Sequence, residues 1–209
     1  MKILVLGANG KVGSLVVDEL LKSDHKIRAF VHGNNHLPTN KQVEIFQGDV
    51  RDKDSLEKAL NSIEIVISCL GSWGTSTKDT LSTAMKNIIP LMEKHEIKRI
   101  ISLTGSEAII VNEPTAFIQK ITYPLFKAIA PKILIDANEH LELLAKSSLS
   151  WTVLKSPVMN NWGNPKKFQL KDKYPSPFRS INRHSVAIAL INQIEDEAFV
   201  NKAPYIFRK

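Results

Sequence analysis

The segment Gly7-Ala8-Asn9-Gly10-Lys11-Val12-Gly13 sets three glycines between an apolar run and a stretch of helical periodicity. No other feature constrains the fold as much. Ile3 to Leu6 form a run suited to a strand buried on both faces. Val12, Leu15, Val16, Leu20 and Leu21 follow at helical spacing. In such a unit Gly7 permits the tight turn, Gly10 leaves the backbone open to an anion, and Gly13 lets the helix pack closely on the strand. The free N–H groups of the helix N-terminus then face that anion. A glycine triplet alone is a weak signal. With a strand before it and a helix after it, it points to the pyrophosphate of a dinucleotide.

A chain of 209 residues is one domain, 1–209, with room for a small lobe and a sizeable core. Its single cysteine, Cys69, excludes an internal disulfide framework and suits a reducing, cytoplasmic setting. The first strand starts at once, leaving no room for a signal peptide, and no apolar run is long enough to span a bilayer. The net charge of +7 favours anionic partners. The lysines are scattered, without a basic stripe interleaved with aromatics, so nucleic acid is not expected, and with only strand-length apolar runs neither is a membrane. An anionic cofactor or substrate, or a merely solvated basic surface, accounts for the charge.

Strand-like and helix-like segments alternate through the first half: strands at 26–32, 43–47, 63–70 and 99–103, and helices at 52–60 and 79–95. Asp52 reads as an N-cap. This βαβ alternation predicts a Rossmann-like doubly wound parallel sheet, with ligands at the carboxyl ends of its strands. The second half is less regular. Pro114, Pro124 and Pro131 break up the stretch between 113 and 132. A helix over 133–146, a strand over 151–154, a last helix capped by Asn182 or Ser180 and a final strand at 205–207 follow. Residues 160–180, rich in Pro, Gly and Lys, read as a loop over the sheet edge. The substrate side is thus a small irregular C-terminal lobe, mainly 106–132 and 157–182.

An NAD site usually carries an acidic residue at the end of the second strand. That region reads Arg28-Ala29-Phe30-Val31-His32-Gly33, without a carboxylate. Arg28 belongs to the sheet, and His32 tolerates or attracts a 2′-phosphate, which favours NADP(H) over NAD(H). Asp49 in Gly48-Asp49-Val50 either accepts from the adenine amino group or caps a turn. Gly71, after Cys69 and Leu70, lets the backbone approach the cofactor. The loop Ser72-Trp73-Gly74-Thr75 would flank the nicotinamide ribose. Cys69 reads as a small buried residue rather than a nucleophile.

Together these segments resemble the atypical short-chain dehydrogenase/reductases with an NAD(P)H-binding, NmrA-like domain, in the flavin reductase and biliverdin-IXβ reductase subgroup. The likeness rests on the glycine segment, Gly48-Asp49-Val50, Ser68-Cys69-Leu70-Gly71 and Ile101-Ser102-Leu103-Thr104-Gly105. It continues through Asp136 with Glu139-His140-Leu141-Glu142, residues 148–157, and 179–187. It implies a Rossmann fold, NADPH preference and hydride delivery to a flat acceptor such as a flavin or quinone. It also implies cofactor contacts from Gly7, Asn9, Gly10, Lys11, Val12, Gly13, Asp49, Val50, Cys69, Leu70, Gly71, Thr104 and Pro157. Where many relatives carry arginine at the end of the second strand, this chain has His32.

The family's Tyr-x-x-x-Lys couple appears as Tyr123 and Lys127, which share a face if helical. Pro124 disfavours helical geometry at that tyrosine. Reduction of a flavin or quinone needs little acid–base help, since the cofactor carries the hydride. Thr104, Ser106, Glu107 and His140 are the polar candidates for the pocket. Thr104 and Ser106 would either bond the acceptor or cap a turn, and His140 reads more readily as packing than as a catalyst. Trp73 and Trp162 would stack on a flat ring or pack a lid; Lys166 and Lys167 would attract a phosphorylated acceptor or stand in solvent. The histidines do not cluster with other ligands, so no metal site is expected. The reading is an NAD(P)H-dependent oxidoreductase, monomer or homodimer. The alternatives are a sensor that binds NAD(P) without turnover, or an epimerase or dehydratase relying on Tyr123 and Lys127.

Overall fold

The computed structural model describes residues 1–73, 75–110, 116–174 and 179–209. Gly74 and Pro114, and residues 111–115 and 175–178 of the expected lobe, lie outside the described residues. In chain order the elements are β1 (Lys2–Leu6), α1 (Gly13–Leu20), β2 (Lys26–Val31), β3 (Val43–Gln47), α2 (Lys53–Ala59), β4 (Ile65–Ser68), α3 (Thr80–Lys94) and β5 (Arg99–Gly105). They continue with α4 (Gln119–Ile129), α5 (Pro131–Lys146), β6 (Ser150–Ser156), β7 (Met159–Asn160), β8 (Phe168–Lys171), β9 (Ile181–Asn182), α6 (Arg183–Asn192) and β10 (Tyr205–Arg208).

Alternation along β1 sorts its side chains between two cores. Leu4 and Leu6 join Leu56, Met85 and Leu141 on one face, beneath α2, α3 and α5. Ile3 and Val5 join Val16, Val17, Val186 and Leu190 on the other, beneath α1 and α6. Burial on both faces is why the strand reads as a continuous apolar run. The sheet order is β3-β2-β1-β4-β5-β6-β10-β8, parallel except that β8 runs antiparallel to β10. β7 and β9 form a separate parallel pair. This is the doubly wound Rossmann-like sheet. In register, Leu6 lies opposite Phe30 on one side and Ser68 on the other, so the turns after β1, β2 and β4 emerge on one edge. Strand order reverses between β1 and β4, which opens the ligand crevice there.

Local signals account for several boundaries. Asp52 caps α2 by accepting from the Asp54 N–H, and Asn182 caps α6 by accepting from the His184 N–H. Pro131 starts α5 at a position that needs no donor. Arg28 stays in the sheet, donating to the carbonyls of Ala59 and Asn61 and to Glu44.

Two expectations fail. The stretch around Pro124 is not broken: α4 runs through it, just as α3 runs through Pro90. An interior proline costs a helix about 3 kcal/mol, and the packing of Gln119, Tyr123 and Phe126 against the body offsets that. The segment 160–180 is not all loop either. Phe168 and Leu170 alternate with polar residues and face the core, forming edge strand β8.

Candidate active site

The glycine turn is built as its spacing requires. Gly7 has φ +70°, a left-handed conformation open to glycine. A Cβ at Gly13 would stand 2.1 Å from the Gly7 carbonyl oxygen and 2.9 Å from the Ala8 Cα, so α1 sits on the turn only because residue 13 has no side chain. The Gly10 N–H donates to the Gly7 carbonyl at 2.9 Å. Asn9 ties this turn to the loop after β2, accepting from the His36 N–H and donating to the Asn34 carbonyl. Lys11 is exposed and Val12 buried.

Across the crevice, Gly7 approaches the Cys69 carbonyl and the Leu70 side chain, so the glycine turn and the end of β4 form one surface. Burial pushes the Cys69 thiol up to about 12, which leaves it unreactive. On the opposite flank, the exposed His32 imidazole lies 3.7 Å from the half-buried Asp49. The other Asp49 oxygen accepts from the Arg51 N–H, and the Val50 carbonyl accepts from Asn87.

A cavity of about 370 Å³ continues from Leu70 and Gly71 along the carboxyl ends of β5 and β6, under α4 and the start of α5. Its walls are mainly apolar: Leu70, Trp73, Leu103, Phe126, Leu134, Pro157 and Met159. Its polar groups are few. Thr104 is buried, and its hydroxyl has no partner among the described residues. Ser106 and Glu107 line the wall. Thr122 donates to one Glu107 oxygen and the Tyr174 hydroxyl to the other. Burial, then the hydrogen bond to Glu107, push the Tyr174 phenol upward. A dinucleotide laid on the glycine turn would pass over Leu70 and Gly71 toward a cavity whose buried Thr104 hydroxyl is unpaired among the described residues. These residues fit the group.

The structure places several of the expected residues outside the cavity. Tyr123 and Lys127 do share α4, but Tyr123 accepts from the Asn138 amide at 2.9 Å, Lys127 is exposed, and neither lines the cavity. Asn138 also accepts from the Ile109 N–H, so Tyr123 helps clamp α4 to α5. Trp162 and Lys167 border a separate surface pocket, and Lys166 lines neither. His140 is fully buried behind β5, its Nε2 2.9 Å from the Ser102 hydroxyl, away from the cavity. Burial lowers its pKa to about 4, against the pull of Asp136. Because the unfolded chain then binds this proton more readily, the fold loses stability as pH falls from about 6.5 toward 4. Urea unfolding between pH 7 and pH 4.5 should show a steeper loss for the native protein than for His140→Gln. Parallel curves would contradict this.

Sequence reading missed Phe126, Leu134, Met159 and Arg183 as cavity residues. Only the Asn182 cap hinted at where Arg183 sits, as first residue of α6. Its guanidinium is held by the Met159 carbonyl and Asn161.

Strand order, glycine turn and cavity define a dinucleotide-binding Rossmann protein. Residues 7–197 match the family described as NAD(P)H-binding, and the chain belongs to that family. An anaerobillin reductase from Escherichia coli O157:H7 superposes with a TM-score of 0.80 at 19% identity, over 100% of this chain and 97% of that one. A proposed NADH-flavin reductase from Streptococcus pneumoniae superposes with 0.82 at 20% identity, over 100% of both. A 3β-hydroxysteroid dehydrogenase/isomerase from Mycobacterium tuberculosis is 35% identical over 65 residues, 31% of this chain. The chain spans 18% of that curated relative's length.

Proposed function

We propose that this protein is an NAD(P)H-dependent oxidoreductase that passes hydride to a flat conjugated acceptor, a flavin or a quinone. The observation that carries the reading is the apolar cavity opening directly from the nicotinamide side of the crevice, beside Leu70 and Gly71. The resemblance to flavin and anaerobillin reductases in fold supports it. When bound, the reduced dinucleotide supplies the hydride. The chain positions. Gly7, Asn9, Gly10, Lys11, Val12 and Gly13 hold the pyrophosphate segment, and Asp49 and Val50 border the adenine. Cys69, Leu70, Gly71 and Pro157 floor the nicotinamide end. Thr104, with its free buried hydroxyl, bonds the carboxamide or the acceptor, and Ser106 orients the acceptor. Glu107, held by Thr122 and Tyr174, sets the polarity of the wall. The apolar walls exclude water from the transfer. His32 at the end of β2 favours the 2′-phosphate of NADPH.

The reaction needs no Tyr–Lys couple, and the placement of Tyr123 and Lys127 outside the cavity disfavours an epimerase or dehydratase. Mixing the protein anaerobically with NADPH or NADH and then with flavin mononucleotide or a simple quinone tests the reading. Enzyme-dependent loss of reduced-nicotinamide absorbance is expected, faster with NADPH, and the cofactor preference should invert in His32→Asp. Tight binding without oxidation by any acceptor would instead mean a sensor.

A further inference from the structure

Outside the crevice, the outer face of α4 is an apolar feature that the proposed reaction does not use. Phe117, Ile121, Leu125 and Ile129 recur four apart and are 80%, 58%, 61% and 71% exposed. Ile135, near the start of α5, adds another side chain at 59%. Residues four apart on a helix stand on one face, so Ile121, Leu125 and Ile129 form one stripe along α4, with Phe117 in the turn that leads into it. The other side of the helix is already committed. Gln119 is buried, Tyr123 is bonded to Asn138, and Phe126 meets Trp73 edge-on in the cavity wall. The helix thus buries one side and presents a second apolar side to water. A patch of this kind on a soluble chain marks a docking surface.

Charge decides what it docks to. From 116 to 135 the sequence contains no Asp and no Glu, but three lysines: Lys120, Lys127 and Lys132. All three are exposed. A second copy of the chain, docking through the same stripe about a twofold axis, would set these lysines against their own copies with no carboxylate on the stretch to answer them. A lipid surface with anionic headgroups matches both features. Apolar side chains enter the boundary between headgroups and acyl chains, while lysines reach the phosphates. The net charge of +7 adds long-range attraction to such a surface.

We propose that α4 lies in the plane of an anionic membrane surface, with Ile121, Leu125 and Ile129 of the helix and Phe117 of the preceding turn inserted, and with Lys120 and Lys127 of α4 and Lys132 of α5 on the headgroups. The proposal departs from the sequence expectation of no membrane partner. Among the described residues no helix is long and apolar enough to cross a bilayer, so the association is peripheral. The proposal rests on the exposed stripe and its charges, and it stands whatever reaction the cavity supports.

Sedimentation of the full chain with vesicles tests it, using phosphatidylcholine alone and phosphatidylcholine mixed with phosphatidylglycerol. Partition onto the mixed vesicles should exceed that onto the neutral ones about tenfold or more and fall with added salt. Removing a lysine charge, as in Lys120→Gln or Lys127→Gln, should weaken it about fivefold per site. Ile121→Gln combined with Leu125→Gln should weaken it about tenfold or more. These side chains are exposed, so circular dichroism should find the native fold in each variant. Absent or equal partition of the native chain on the two vesicle types would overturn the proposal. So would a concentration-dependent dimer that dissolves in the Ile121→Gln, Leu125→Gln variant.

Discussion

Gly13→Ala should abolish dinucleotide binding and destabilise the fold by about 3 kcal/mol or more. The added methyl would lie 2.1 Å from the Gly7 carbonyl oxygen and 2.9 Å from the Ala8 Cα. Both are backbone atoms, so no side chain can swing aside to make room. Only a shift of α1 away from β1 relieves the clash. That shift opens the core that Val16 and Val17 make with Ile3 and Val5. It also moves the helix N-terminus off the pyrophosphate path. Urea unfolding reads the first effect, and quenching or enhancement of bound NADPH fluorescence reads the second. A variant with the native unfolding midpoint and native NADPH affinity would refute the close-packing role. Alanine is otherwise the best helix former, so a loss here cannot be charged to helix propensity.

The second large effect belongs to Asp136, which no local pattern singles out as a cap. Its carboxylate, buried on α5, accepts from the Leu81 and Ser82 N–H groups at 3.1 and 2.8 Å, and from the Ser72 hydroxyl. The residue before α3, Asp79, makes no side-chain cap of that helix. Asp136 thus satisfies from across the core the donors that a local cap would usually take. Ser72 and Leu81 line the cavity, so the same carboxylate holds one of its walls. Asp136→Ala strands these donors in a buried place and should cost about 3 kcal/mol or more. Asp136→Asn keeps one acceptor oxygen and should cost less. Equilibrium unfolding of the two variants checks the order. Equal, small losses in both would mean that water takes the place of the carboxylate.

How far the sequence could be read follows from the range of each interaction. Gly7, Gly10 and Gly13 act on neighbours within a few residues, so their spacing announced the turn. Asp52 and Asn182 cap the helices they precede, and each was visible beside its apolar run. The strands of the parallel sheet are buried on both faces, and their apolar runs stood out. By contrast, α4 was hidden by Pro124, a local penalty that distant packing offsets. Strand β8 was hidden among Pro, Gly and Lys because its partner, β10, is more than thirty residues later in the chain. Tyr123 and Lys127 had the right spacing for a catalytic couple. The partner of Tyr123 is Asn138 on another helix, and spacing carries no information about that.

The sequence by itself determined the doubly wound class, the position of the dinucleotide crevice and the family. All three rest on short-range patterns: glycines at a turn, alternation along strands and periodicity along helices. The tertiary structure alone decided which polar groups meet the cavity, and that His140 is sealed behind β5. It also decided that Asp136 caps a distant helix, and that α4 shows an apolar face to solvent. Each of these depends on which surfaces come together after the chain has closed on itself. Contacts between residues far apart in sequence leave no periodic trace in it.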